Sequence, residues 1–239
     1  MLQTTDLPKE LDSLLSNMKT GRQEHNLPWV TLSYAQSLDG SIAAQRSAPL
    51  ALSGSATLKI THSLRARHSA ILIGIGTLLA DNPQLNVRLV PGSDPQPVVL
   101  DRHLRFPMEA RLLRGQKSPW IFTTRNTQPE HETALEKAGA RVFRSDMEMR
   151  SIENILSVLG REGILSVMVE GGAGVITSFL QAQLVDLVVL TIASRLVGGV
   201  RGVESLLADD GPRLDKFGVQ RFDEDLLVWG CPRWTSGMK

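Results

Sequence analysis

The stretch Ser166-Val-Met-Val-Glu-Gly-Gly-Ala-Gly-Val-Ile-Thr-Ser178 carries the strongest architectural signal in the chain. An apolar run ends in the acid Glu170, two glycines follow, and a helical pattern begins at Ala173. A strand without alternating polar residues is covered on both faces, which is typical of a parallel sheet with helices above and below it. Ligands of such sheets bind beyond the carboxyl ends of the strands. The stretch therefore predicts an α/β fold with a candidate site at the turn after Glu170.

On either side of this turn, β-rich runs and helical patterns alternate along the chain, which predicts right-handed βαβ crossovers. The predicted strands are Val30–Tyr34, Ala70–Ile75, Pro97–Leu100, Trp120–Thr123, Arg141–Phe143, Ser166–Glu170 and Leu187–Ile192. The predicted helices are Ser55–Arg67, Pro129–Ala138, Ile152–Arg161 and Ala173–Gln181. Near the end, Val219–Phe222 and Leu226–Trp229 flank a short acidic turn and predict an antiparallel hairpin. We expect a three-layer α/β/α domain with a mostly parallel central sheet and this hairpin at its edge.

Residues 1–27 have a different pattern from the rest of the chain. Their apolar residues follow helical spacing: Leu7, Leu11, Leu14, Leu15 and Met18. Asp6 is a candidate N-cap, Pro8 falls in the first turn, and Gly21 ends the pattern. The polar face mixes acidic and basic side chains, which favours packing on the domain or on a partner subunit over a membrane surface. We divide the chain into a helical extension, residues 1–27, and an α/β domain, residues 28–239.

The composition narrows the class of protein. Hydrophobic residues make up 42% of the 239 residues, enough for a folded core, and the net charge of +1 argues against a dedicated nucleic-acid binder. The single cysteine, Cys231, cannot form an internal disulfide or supply the cysteine pair of a zinc-dependent deaminase. The five histidines are scattered, so no metal site is predicted. With neither a signal peptide nor an apolar run of ~18 residues, we expect a cytoplasmic protein without a membrane partner.

A second glycine-bearing strand end lies at Ile71-Leu-Ile-Gly-Ile-Gly-Thr77, where Thr77 can cap a short helical turn. Two such bends in one sheet predict that both halves of an extended anionic ligand are held, and a dinucleotide fits that description. The alternative is two tight turns with no ligand, since Gly172-x-Gly174 lacks the third glycine of the Rossmann fingerprint. Downstream, Arg88 is a candidate anion clamp.

A third segment, Ala35-Gln-Ser-Leu-Asp-Gly40, follows the first predicted strand directly. The pair Asp39-Gly40 forces a turn, which is either purely structural or part of the site. The small, polar loop at 43–49 has the character of a flexible lid.

Taken in order, these motifs resemble the reductase domain of riboflavin biosynthesis, a member of the dihydrofolate-reductase-like superfamily. The matching strings are Ser37-Leu-Asp-Gly40, Leu64-Arg-Ala-Arg67, Ile71-Leu-Ile-Gly74, Gly76-Thr-Leu-Leu-Ala-Asp-Asn-Pro-Gln-Leu-Asn-Val-Arg88, Val98-Val-Leu-Asp101, Val169-Glu-Gly-Gly172 and Leu184-Val-Asp186. The resemblance covers residues 28 to 230. It implies NADPH-dependent reduction of a ribosylamino-pyrimidine 5′-phosphate, a small-molecule substrate, at C1′ of its opened ribose.

The resemblance also implies roles for individual residues. NADPH would contact Ala35, Thr77, Asp81, Gly171, Gly172, Ala173, Gly174, Val175, Ile176, Thr177 and Ser178. The substrate would contact Arg65, Leu85, Arg88 and Glu170, with both arginines near its phosphate and Glu170 at the pyrimidine or ribose. Asp39 and Glu170 would be catalytic, Asp39 as a polar group near the transferred hydride. A homodimer is expected, because relatives in this superfamily often pair through sheet edges.

The chain departs from the family pattern in the loop before the first helix of the domain. Ala51 stands where fused bacterial enzymes carry a tryptophan on the cofactor, and Pro49 replaces the serine that meets the substrate. Ser33 takes the place of a lysine. The altered loop leaves two alternatives open. One is an NADPH-dependent reductase of the same fold acting on a pterin, a folate-like compound or another imine. The other is an NADPH-binding module without catalysis.

Overall fold

The computed structural model describes residues 7–16, 18, 27–46, 48, 50–124, 129–145, 151–204, 206 and 211–234. Its helices are α1 Lys9–Ser16, α2 Ser55–Arg67, α3 Ile75–Asp81, α4 Pro129–Lys137, α5 Ile152–Arg161 and α6 Ala173–Gln181. Its strands are β1 Trp29–Ser37, β2 Ser41–Ala43, β3 Ala70–Gly74, β4 Gln96–Leu100, β5 Trp120–Thr124, β6 Arg141–Ser145, β7 Ser166–Gly171, β8 Leu187–Ala193, β9 Val200–Arg201, β10 Arg213–Phe222 and β11 Asp225–Arg233. A 3₁₀ turn spans Arg111–Arg114.

Within the described ranges, the main sheet has nine strands in the order β10-β11-β8-β1-β7-β3-β4-β5-β6. The neighbours from β8 to β6 are parallel, whereas β11 runs antiparallel to β8 and β10 antiparallel to β11. β1 lies between β7 and β8, and β7 fills the position between β1 and β3 after the chain has extended the sheet from β3 to β6. The mostly parallel sheet and the C-terminal hairpin confirm the predicted fold class. The hairpin is longer than expected.

Helices cover both faces of the sheet, which explains the continuous apolar runs in its strands. All five residues of β3 are buried, because side chains on both of its faces pack against other elements. On one face, α5 and α6 contribute Leu156, Ile176 and Phe179 to a core cluster with β1, β3 and β7. On the other face, α2 packs Ile60 and Leu64 against β7, β8 and β11.

Helix α1 packs on the chain's own sheet. Leu11, Leu14 and Leu15 are buried in the same cluster as the apolar face of α2. Asp12 forms an ion pair with Arg67 at the end of α2. The helix predicted from the apolar spacing is therefore present, as α1. The candidate cap Asp6 and the terminating Gly21 lie outside the described residues.

The sequence patterns missed the 3₁₀ turn and two short strands. β2 and β9 form a separate two-stranded ribbon beside the end of β1, and strands this short show no periodicity. The ribbon requires a glycine: a Cβ on Gly199 would lie 2.1 Å from the carbonyl oxygen of Ala43. Helix α3, expected only as a helical turn, runs for seven residues after β3.

A buried histidine connects α2 to the centre of the sheet. The Nδ1–H of His68 donates to the carbonyl of Leu64 (2.7 Å), which leaves Nε2 to accept from the hydroxyl of Thr31 (2.8 Å). His68 is 5% exposed. Burial lowers the pKa of the His68 imidazole to about 4 from an ordinary value of 6.5.

This depressed pKa predicts acid sensitivity. Between pH 6.5 and about 4 the unfolded chain binds a proton at His68 that the folded chain does not bind. The contribution of the neutral His68 ring to the free energy of unfolding is therefore complete above pH 6.5. It is lost progressively as the pH falls toward 4, and the total loss is up to about 3 kcal/mol. The free energy of unfolding, measured with urea across this pH range, should depend less steeply on pH in His68→Gln than in the wild type. Equal slopes would contradict the assignment.

Candidate functional site

The two glycine bends predicted from the sequence lie side by side at the carboxyl ends of the paired strands β3 and β7. The Thr77 hydroxyl donates to the carbonyl oxygen of Gly171 over 3.3 Å. A Cβ on Gly74 would lie 2.8 Å from a methyl of Val175, and one on Gly172 would lie 3.0 Å from the Thr77 hydroxyl. Because these two positions are glycines, the bend after β3 and the bend after β7 can lie in contact. The two bends therefore form one continuous surface.

The start of helix α6 faces this surface. Gly172 precedes the helix with φ +86° and ψ 134°, a conformation that favours glycine, and supplies no side-chain cap. The first N–H groups of any helix have no intrahelical acceptor and carry partial positive charge. Here no Cβ at Gly172 covers them. The residues present therefore fit the pyrophosphate of a dinucleotide.

The two hydroxyls that are predicted to contact the cofactor also have hydrogen-bond partners within the protein. The Ser178 hydroxyl donates to the carbonyl of Gly174 (2.7 Å). Thr177 is buried, and its hydroxyl accepts from the backbone N–H of Glu204 (3.1 Å). Both residues thus lie on α6 beside the bend, and these hydrogen bonds stabilise the helix and hold the segment at residue 204 against it.

An ion pair lies directly beside the bends. Nε and Nη2 of Arg65 donate to the two carboxylate oxygens of Glu170, each over 2.6 Å, and Nη1 donates to the carbonyl of Asn86 over 3.1 Å. The side chains are only 10% and 14% exposed. Burial works to lower the pKa of Arg65, but the charge and hydrogen bonds of Glu170 outweigh it and raise the pKa. The pair joins α2 to the end of β7 and holds the carboxylate in one orientation.

The loop after α3 presents further predicted residues. Desolvation raises the pKa of Asp81, the last residue of α3. Leu85 is 2% exposed and has φ +52°, a strained conformation for a bulky residue that persists only where the surroundings dictate it. Arg88 is exposed, and its Nη1 donates to the side-chain oxygen of Asn86 (2.9 Å). This loop therefore carries an oriented cation close to the buried ion pair.

Asp39 ties two loops together at the same edge of the sheet. Its carboxylate accepts from the hydroxyls of Ser37 (2.5 Å) and Ser41 (2.8 Å), and from the backbone N–H groups of Val197 (2.9 Å) and Gly198 (2.7 Å). These bonds, that of the Ser37 hydroxyl foremost, lower the pKa of Asp39. The carboxylate joins the turn after β1 to the loop after β8. Ala35, half-buried in β1, lies four residues before it.

The sequence patterns missed the groups that support these residues. His62 and Asp94 hydrogen-bond to the loop that bears Arg88, and the available signal for His62 was its spacing of one helical turn from Arg65. Arg102 is exposed just after β4, the neighbour of β3, and so lies at the same edge. Among the described residues no group of three or more His, Cys, Asp or Glu could hold a metal ion. No described helix is long and apolar enough to cross a membrane.

The mostly parallel sheet with its antiparallel terminal hairpin has the dihydrofolate-reductase-like α/β fold. The family model of the RibD C-terminal domain matches residues 28–228. The chain belongs to this family, which confirms the resemblance drawn from its motifs.

Named relatives agree with this assignment. The riboflavin biosynthesis protein RibD of Aquifex aeolicus is 32% identical over 212 residues, 84% of this chain and 57% of that protein. The 2,5-diamino-6-ribosylamino-4(3H)-pyrimidinone 5′-phosphate reductase of Candida glabrata is 35% identical over 216 residues, 83% of this chain and 86% of that protein. The crystal structure of a deaminase/5-amino-6-(5-phosphoribosylamino)uracil reductase from Thermotoga maritima has a TM-score of 0.75 at 30% identity, covering 91% of this chain and 60% of that one. The chain thus spans less than two thirds of the length of these two bacterial proteins.

Proposed function

We propose that this chain is a reductase that uses NADPH to convert a ribosylamino-pyrimidine 5′-phosphate into its ribitylamino counterpart. The observation that carries the proposal is the buried Arg65–Glu170 pair beside two contacting glycine bends. Reduction of an imine requires cofactor and substrate to be held in register, and needs neither a protein nucleophile nor a metal. The names of the Candida glabrata and Thermotoga maritima proteins support the same reaction class.

The cofactor would lie across the bends. The residues that would hold it are Ala35, Thr77, Asp81, Gly171 and residues 172–178. The uncovered start of α6 suits its pyrophosphate. When bound, NADPH supplies the hydride that reduces C1′ of the ring-opened imine. Arg102 at the adjacent strand end suits the extra phosphate that distinguishes NADPH from NADH.

The substrate would lie between the ion pair and the loop after α3. Arg65 holds Glu170 as an oriented anion whose remaining lone pairs can accept hydrogen bonds from the pyrimidine or ribose. Arg88 is exposed and would meet the 5′-phosphate, while Leu85 shapes the loop from within the core. Asp39 would support the reaction by holding the turn after β1, and its direct contact with the reacting groups stays a prediction.

Arg88→Ala tests the phosphate contact. Losing a charge-assisted hydrogen bond of this kind costs about 1.5–3 kcal/mol, so KM for the phosphorylated substrate should rise about 10- to 150-fold. KM for NADPH should stay within experimental error. Arg161→Ala is the matched control, because Arg161 is an exposed arginine at the end of α5, ahead of β7 and so at the opposite edge of the sheet. An unchanged KM in Arg88→Ala would remove this residue from the site.

The direct test of the proposed function follows nicotinamide absorbance. Purified protein, NADPH and either the 2,5-diamino substrate or its deaminated form should show a loss of absorbance and yield the ribitylamino product. The ratio of the two rates identifies which form the chain uses. NADH in place of NADPH should support a slower reaction. No turnover with either substrate would overturn the proposal.

A second candidate substrate class is favoured by one residue. Ala51 is exposed where the family pattern has a tryptophan, and its carbonyl accepts from the Arg195 guanidinium over 3.3 Å. The small side chain leaves room for a different ring, such as a pterin or a folate-like compound. Pro49 lies outside the described residues. A substrate panel at fixed NADPH separates this candidate from the first, and calorimetric binding without turnover would identify an inactive module.

We also propose that the boundary between the helical extension and the reductase domain falls between residues 27 and 28. A further proposal is that the chain forms a homodimer. The edge strand β10 supports the dimer, because Phe217 and Val219 on it are 60% and 54% exposed. Sedimentation velocity measures the oligomeric state directly. A cytoplasmic location likewise stays a prediction.

A further inference from the structure

Residues 86–88, called the clamp loop below, are held in an unusual way. Each has one backbone polar group bonded to a side chain from outside the loop. The bonds are Arg65 Nη1–H to the Asn86 carbonyl (3.1 Å), the Val87 N–H to Asp94 Oδ1 (2.8 Å) and the Arg88 N–H to His62 Nδ1 (3.1 Å). Side chains therefore provide the backbone partners that a helix or strand would otherwise supply. Such a loop has a defined position before any ligand arrives.

His62 has the least apparent structural reason to be present. It is fully buried on α2, one helical turn before Arg65. Because its Nδ1 accepts from the N–H of Arg88, the ring proton lies on Nε2, and Nε2 has no hydrogen-bond partner among the described residues. A buried donor without an acceptor costs stability. An apolar side chain would serve the core better at this position.

The imidazole stays an acceptor at neutral pH. Burial, followed by the positive charges of Arg65 and Arg88, lowers the pKa of His62 to about 4, while the charge of Asp94 opposes the shift. A protonated ring would instead direct a second donor at the N–H of Arg88. The neutral ring therefore keeps the hydrogen bond in the physiological range.

The contact fixes the cation proposed for the substrate phosphate. The backbone of Arg88 is held by His62, and its guanidinium by the side chain of Asn86. Leu85, whose backbone is strained, directly precedes the clamp loop and fixes the direction in which the chain enters it. A displacement of the Arg88 backbone would carry the guanidinium with it.

We propose that His62 is a positioning residue, which holds the clamp loop so that Arg88 meets the 5′-phosphate of the substrate. This inference rests on the proposed function. His62 itself touches neither substrate nor cofactor; it acts through the backbone of Arg88.

His62→Phe keeps a flat ring of similar size and removes the acceptor. We expect KM for the phosphorylated substrate to rise about tenfold, with kcat and KM for NADPH changed by less than about twofold. The melting temperature should stay level or rise, because the unsatisfied Nε2–H is gone. His62→Asn should restore KM, since its side-chain oxygen lies where Nδ1 does. A melting temperature that falls while KM stays unchanged would assign His62 to packing alone. If His62→Phe does not fold, His62→Leu takes its place.

A double-mutant cycle tests whether His62 acts through Arg88. In an Arg88→Ala background, adding His62→Phe should change KM by less than about twofold, because there is no guanidinium left to position. If His62→Phe raised KM as much in the Arg88→Ala background as in the wild type, the proposal would be overturned.

Ribose 5-phosphate binding, measured by calorimetry, makes the proposal independent of turnover. The wild type should bind this probe, and His62→Phe should bind it about tenfold more weakly. The amides of Val87 and Arg88 should also exchange faster in the variant. If the wild type reduces no pyrimidine yet these results hold, the proposed function fails and the positioning role stands. Equal binding by both proteins, or no binding by the wild type, overturns the positioning role.

Discussion

Replacing Glu170 with Gln is expected to lower the free energy of unfolding by about 3 kcal/mol or more and to remove measurable reductase activity. The Arg65 guanidinium is only 10% exposed and donates to both carboxylate oxygens of Glu170, each over 2.6 Å. A neutral amide would leave this buried cation without a counter-charge. Urea unfolding measures the first loss, and NADPH oxidation measures the second.

The chain provides a matched control for burial. Arg141 and Glu162 also form a bidentate pair, in which Nη1 and Nη2 donate to the two carboxylate oxygens at 2.6 and 2.8 Å, but their side chains are 50% and 31% exposed. Glu162→Gln should therefore lower the free energy of unfolding far less than Glu170→Gln does, and should leave activity unchanged. Similar losses in the two variants would show that burial is not the cause.

A double replacement separates stability from chemistry at Glu170. Arg65→Met combined with Glu170→Gln removes both members of the buried pair, so no uncompensated charge remains. Its unfolding free energy should exceed that of Glu170→Gln alone, whereas activity should stay absent. Recovery of activity in the double variant would exclude a role for this carboxylate in the reaction.

The second large effect is expected at the glycine bend. Gly172→Ala should weaken NADPH binding about 100-fold, because the new methyl would lie 3.0 Å from the Thr77 hydroxyl and beside the uncovered start of α6. The φ of +86° adds a backbone cost of about 1–3 kcal/mol to folding. Calorimetric titration with NADPH measures the first effect and thermal unfolding the second.

Gly163→Ala isolates the backbone cost. Gly163 has a closely similar φ of +81°, and a Cβ there would meet no atom within 4 Å. It follows α5, outside the proposed site. This variant should lose stability through its backbone alone while binding NADPH normally. If it also lost the cofactor, the effect at Gly172 would reflect general instability.

Local patterns were enough to predict the sheet and its glycine bends. The strand, the glycines and the helix start at 166–178 lie within thirteen residues, and each part has its own periodicity or turn chemistry. Four helices were predicted to within one residue of their observed ends. The placement of Glu170 at a strand end followed directly from this pattern.

The partners of these residues could not be predicted in the same way. Arg65 and Glu170 are 105 positions apart, and they meet because α2 covers the sheet face toward which Glu170 points. Asp39 likewise finds Val197 and Gly198 only once β1 and β8 pair. Such contacts depend on how elements pack across the domain, which a spacing along the chain does not encode.

The side-chain anchors of the clamp loop have a consequence for how a ligand would be received. They come from α2 and from Asp94, within the protein itself. Ordering of this segment is therefore complete when the domain folds, and an arriving anion immobilises little additional backbone. Recognition then approaches a lock-and-key encounter, in which selectivity resides in a preorganised shape.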